Sequence, residues 1–131
     1  MVQAQAELFA SVPRADSLRL FEEDGRPRAQ RIAEILNYKR PDVSVASGLP
    51  VKKVRLEPDR IPRDLAERIA EWGIALNLVA DFFHDEQRTI LWFRTSNPML
   101  GNVSPRDMIR LGRFKKLLHF IQTALNENGP G

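Results

Sequence analysis

Residues 91–112 read LWFRTSNPMLGNVSPRDMIRLG. Asn97-Pro98 ends a helix, because proline disfavours the helical region in the residue before it. Gly101-Asn102 supplies two residues that tolerate positive φ. Ser104 is a good N-cap, Pro105 suits the first helical position, and Asp107 lies in the positive end of the helix dipole. The stretch therefore predicts a helix end, a rigid turn and a second helix. Leu91, Trp92 and Phe93 form an apolar run that is expected to be buried.

The segments on either side also read as helices. Glu86–Arg94 comes after Asp85, a plausible cap, and carries Ile90, Leu91 and Phe93. Before it, Arg63–Phe83 is the longest and clearest helix: Leu65, Ile69, Trp72, Leu76, Val79 and Phe83 alternate steps of four and three. That seam serves either a domain core or a homodimer face. Gly73 in its middle costs about 1 kcal/mol against alanine and points to a close approach by a neighbouring helix. Downstream of residue 112, Arg113–Asn126 is amphipathic, with Phe114, Leu117, Leu118, Ile121 and Leu125 on one face. Pro27–Tyr38 predicts a further helix with Ile32, Ile35 and Leu36 as its apolar stripe. Residues 1–26 show no sustained period and read as a flexible or loosely docked arm. No period-2 run is long enough for a sheet, so the fold class is all-α.

The 131 residues are 43% hydrophobic, enough for one compact domain or two very small ones. The absence of cysteine excludes a disulfide framework and thiolate chemistry, and fits a reducing cytoplasm. The start of the chain has no basic segment leading into a long apolar one, so no signal peptide is read. The most apolar run, Gly73–Phe83, is too short to span a bilayer.

Net charge is +3, unevenly spread. Residues 1–23 carry −2 and residues 64–131 are neutral, whereas residues 24–63 hold ten Lys/Arg against five Asp/Glu. A local excess of this kind suits a polyanion, or is simply a solvated basic face. Within it, Asp42–Leu56 (DVSVASGLPVKKVRL) has the layout of a helix-turn-helix. Val43 and Ser44 face inward, Gly48 takes the turn, Pro50 starts the second helix, and Val51 and Val54 face the core. Lys52, Lys53 and Arg55 then point outward on the helix that would enter a major groove, with Lys39, Arg40 and Arg60 placed for phosphates. A basic hairpin without nucleic-acid function is the alternative. Glu57–Pro62 (EPDRIP) reads as a connector, dividing a DNA-binding region over residues 27–60 from a helical domain over 61–131.

Chemistry-bearing motifs are missing. His84 and His119 have no metal-ligand spacing around them. No serine sits in a nucleophile elbow, and no glycine-rich phosphate loop comes after a strand. Neither an enzyme nor a metal or cofactor is expected.

The span from Ile61 to near Asn128 resembles the toxin-binding domain of the Xre/MbcA/ParS antitoxins. The resemblance rests on Trp92-Phe93, then Asn97-Pro98-Met99-Leu100-Gly101, then Pro105, then the Arg113–Leu125 helix. Asn102 stands where members often have a second glycine. The upstream region resembles, more weakly, the small helix-turn-helix of that family. The resemblance implies a non-catalytic antitoxin of a type II pair whose partner is a RES-domain toxin that consumes NAD. It implies repression of its own promoter by the complex, with operator DNA as second partner and a homodimer or larger toxin complex as the assembly. Mapped onto this chain, toxin contact falls to Lys116, His119, Asn126, Glu127, Asn128 and Gly129. The runner-up is a stand-alone transcription regulator whose C-terminal bundle only dimerises.

Overall fold

A computed structural model describes residues 16–127, and these form an all-α fold. Its helices are α1 (Ala29–Ile35), α2 (Arg40–Ser47), α3 (Arg63–Phe83), α4 (Glu86–Arg94), α5 (Pro105–Arg110) and α6 (Phe114–Glu127). Two single 3-10 turns, Val51–Lys53 and Pro98–Leu100, interrupt the connections.

The long helix α3 is the axis on which the rest packs. Leu65, Ile69, Trp72, Ala75, Leu76 and Val79 are buried along its seam. Helices α1, α2, α4 and α6 all lie against it. The seam is thus filled from within the chain, which makes it core. Helix α5 joins the layers by contacting α2, α4 and α6. One apolar cluster holds residues from both sides of Glu57–Pro62, among them Ile32, Leu36, Val43 and Val54 upstream and Trp72, Phe93, Ile109 and Ile121 downstream. The connector therefore separates two stretches of sequence that share one core.

Gly73 has the close neighbour its position suggests. A Cβ there would lie 2.9 Å from Ile32 Cδ1 of α1 and 3.0 Å from Phe21 Cζ. The second neighbour comes from the segment expected to be a loose arm. Residues 16–26 are instead docked: Leu18 and Leu20 are buried. The Asp16 carboxylate accepts from the backbone N–H of Leu20 and Phe21, and from Asn77 Nδ2 at 2.9 Å. The Arg31 guanidinium donates to the Leu18 carbonyl at 2.7 Å. The apolar residues in this arm are too few for a periodicity signal, but Leu18 and Leu20 join the core and Phe21 lies beside Gly73 of α3. Residues 1–15 lie outside the described range.

The 97–112 turn forms as its residues require. Asn97 Oδ1 accepts from the Met99 N–H, and Gly101 and Asn102 take φ of 72° and 65°. The Asn97 N–H donates to the Val103 carbonyl and the Asn102 N–H to the Asn97 carbonyl, which closes the loop. Ser104 Oγ accepts from the Asp107 N–H and caps α5. Gly112, at φ 79°, ends α5 with the N–H of Arg113 returning to Met108, a Schellman arrangement that sets the departure of α6. The apolar run ahead of the turn is only partly internal. Phe93 is buried and Trp92 half-buried, but Leu91 is 66% exposed. On a helix, three consecutive residues span most of a turn, so one face cannot take all three.

Of the upstream helices, α1 is shorter than predicted and α2 starts earlier. Helix α1 ends at Ile35, where Asn37 adopts φ 57° and Tyr38 N–H bonds back to Ala33. Helix α2 begins at Arg40, two residues before Asp42, where the helix-turn-helix layout was read to start. Pro41 fits its first turn, and the Asp42 carboxylate accepts from the Lys39 backbone N–H at 3.0 Å.

Candidate functional site

The basic side is built around α2 and the chain that leaves it. Gly48 ends α2 at φ 78°, as the sequence suggests. The segment after it does not form a second α-helix. Residues 51–53 make one 3-10 turn and Val54 is extended. Val51, expected in the core, is 43% exposed, whereas Val54 is buried. A V-K-K-V run with β-branched valine at both ends and Pro58 soon after makes a poor helix, and one buried anchor suffices to hold it. At about 2 Å rise per residue, this turn is too short to lay several side chains along base edges.

The cations of this region nevertheless share a distinctive setting. Among the described residues, Arg26, Arg28 and Arg31 pair with Asp24, Glu22 and Glu86, and Arg63 with Glu67. None of Lys39, Arg40, Lys52, Lys53, Arg55 and Arg60 has a carboxylate partner there, and all six are exposed. The charge excess read from the sequence is therefore concentrated further by the fold.

Arg40, Arg55 and Arg60 line one open cleft of about 360 Å³, together with Gln30, Val54, Leu56 and Glu57. Arg40 is braced: Nε donates to the Val54 carbonyl at 3.1 Å and one terminal nitrogen to Val51 at 2.9 Å. The N–H groups of Arg60 and Ile61 both bond to the Glu57 carbonyl, a turn that carries Arg60 back beside Arg55. Lys52 and Lys53 lie on the neighbouring 3-10 turn and do not line the cleft. Gln30 was not legible as a site residue, because nothing local distinguishes it from any surface glutamine.

The second region is the outer face of α6. Leu117 and Ile121 anchor the helix, while Lys116, His119, Asn126 and Glu127 are exposed. The first three are spaced by three and seven residues, which keeps them on one stripe. Asn128 and Gly129 lie outside the described residues. His84, the other histidine, ends α3 as an exposed cap at φ 53°.

No protein-family model matches the chain, and no curated protein matches it. No helix among the described residues is long and apolar enough to cross a membrane.

Proposed function

We propose that this protein is the antitoxin of a type II toxin–antitoxin pair. In this reading it binds and neutralises a cytoplasmic RES-type toxin that consumes NAD, takes no part in catalysis, and represses its own operon through DNA contact. The observation that carries the reading is the exposed stripe of Lys116, His119 and Asn126 on α6. This helix belongs to the span that resembles the antitoxin family, and it follows the turn at residues 97–104 and α5. Its apolar side is used up in the core, so its polar side is free to meet a partner at a fixed angle. Glu127 and the residues after it would extend that contact into the toxin.

The DNA half of the reading is supported by the six cations that have no carboxylate partner among the described residues. One such surface offers few contacts, so useful affinity requires a dimer or a toxin-bound assembly. A stand-alone helix-turn-helix regulator would need a recognition helix, and residues 51–53 supply a single 3-10 turn.

Co-expression with the product of the adjacent gene tests the proposal. The expected result is a complex that survives purification and restores growth inhibited by that product. A neighbour that is harmless alone and does not co-purify would refute it.

A further inference from the structure

The helix expected to read DNA is absent, yet the charge that would accompany it is present. Arg40, Arg55 and Arg60 line the same cleft of about 360 Å³. Glu57, also in the lining, is ion-paired to none of them. Gathering like charges without neutralising them costs stability unless an anion is bound. Other arginines in the same segment do find carboxylates, so a shortage of acids is not the cause.

The cleft is also ordered on one side. Two backbone carbonyls orient the Arg40 guanidinium without discharging it, and among the described residues the further N–H donors of its fork have no partner. Buried Val54 fixes the backbone on which Arg55 stands, and the turn at Glu57 fixes Arg60. Guanidinium forks match phosphate oxygens in pairs, which lysines do not.

Exposure decides between a small phosphate ester and a polymer. Small-ligand sites bury most of their ligand among apolar walls. Here all three arginines are exposed, and Lys39, Lys52 and Lys53 continue the unpaired charge beyond the cleft.

We infer that the Arg40–Arg55–Arg60 cleft seats backbone phosphates of duplex DNA, so that this surface holds DNA by its phosphates and not by a helix in the major groove. The inference rests on the DNA half of the proposed function and is independent of toxin binding. The 3-10 turn then lies beside the duplex, with Lys52 and Lys53 adding charge.

The test measures binding of the full chain to a labelled random-sequence duplex by fluorescence anisotropy across a salt series. Arg55 and Arg60 make no side-chain bonds among the described residues, so R55A/R60A keeps the fold, which circular dichroism verifies. Each lost phosphate contact removes about 0.9 from the slope of log affinity against log salt. R55A/R60A is expected to lower that slope by about 2 and the low-salt affinity at least tenfold. R113A/K115A removes equal charge at the start of α6, outside the cleft, and is expected to change the slope far less. Equal losses in the two variants, or none in R55A/R60A, would overturn the inference. So would a wild-type chain that ignores duplex DNA while pyrophosphate raises its Tm through the same arginines, which would make the ligand a small phosphate ester. Growth rescue is scored separately: a chain that rescues growth while R55A/R60A binds DNA unchanged fails the cleft and not the antitoxin reading.

Discussion

Arg106 Nε donates to the carbonyl of Leu36 at 2.6 Å, across 70 positions of sequence. A terminal nitrogen of the same guanidinium reaches the Asn37 carbonyl at 3.0 Å, and Arg94 serves Glu34 and Ile35 in the same way. Two arginines of the downstream half thereby donate to the carbonyls at the end of α1, where the helix dipole also favours positive charge. The Arg106 carbonyl in turn accepts from the Tyr38 hydroxyl. Arg106→Ala removes these two bonds and a longer one to Asp107, and should destabilise the fold by about 2 kcal/mol. Denaturant unfolding checks this, and a midpoint unchanged from wild type would show the contact to be idle.

Tyr38 is the only tyrosine in the chain, so phenolate absorbance reports it alone. Burial holds its hydroxyl well above the ordinary tyrosine range, against the opposing pull of Arg106. Its ring stands edge-on to Trp72, with centroids 5.8 Å apart. The unfolded chain ionises near pH 10 while the folded chain does not. The stabilisation is complete below that pH and is lost as pH rises from there toward the folded value. Stability should therefore fall above about pH 10, and Tyr38→Phe should remove that part of the decline. A phenolate titration at the ordinary pKa in native protein would contradict this.

Asp16 and Asn77 dock the segment before α1. Asp16→Ala leaves Asn77 Nδ2 and two backbone N–H groups without their acceptor. The expected cost is about 2–3 kcal/mol, with amide exchange accelerating at Leu20 and Phe21 more than along α3. Uniform acceleration everywhere would mean that the segment has no separate docking step.

Gly73→Ala sets about 1 kcal/mol of helix propensity against a Cβ placed 2.9 Å from Ile32 Cδ1. Ile32→Val removes that methyl. The double variant should be more stable than the two single changes sum to, by about 1 kcal/mol. Strict additivity would place the obstruction elsewhere, at Phe21.

K116E/H119E reverses or adds charge on the exposed stripe of α6 without touching its buried face. Under the proposed function it should abolish growth rescue while leaving Tm within about 1 °C, because exposed substitutions rarely change stability. Rescue at wild-type strength would exclude this face from toxin contact.

Much of the framework was legible residue by residue. Asp85, Asn97, Gly101, Asn102, Ser104 and Gly48 each do the local job their chemistry suggests, because caps and positive-φ turns depend on a few neighbouring backbone groups. The same holds for the α3 seam, where periodicity over many residues outweighs local noise. The docked segment at residues 16–26 was not legible, since Leu18 and Leu20 gain their places only from the common core they join. Nor was the sorting of cations into paired and unpaired sets, which depends on distances between segments remote in sequence.

Residue order alone was enough to make the chain helical, to set where α3, α4 and the 97–104 turn begin and end, and to gather positive charge in residues 24–63. Three features arise only on packing: one core spans both halves, Arg94 and Arg106 hold the end of α1, and three arginines line one cleft in place of a recognition helix. The physical reason is range. Capping and periodicity act over a turn or two of chain, whereas a long charged side chain finds its partner, or fails to, only after the packed elements have been brought together.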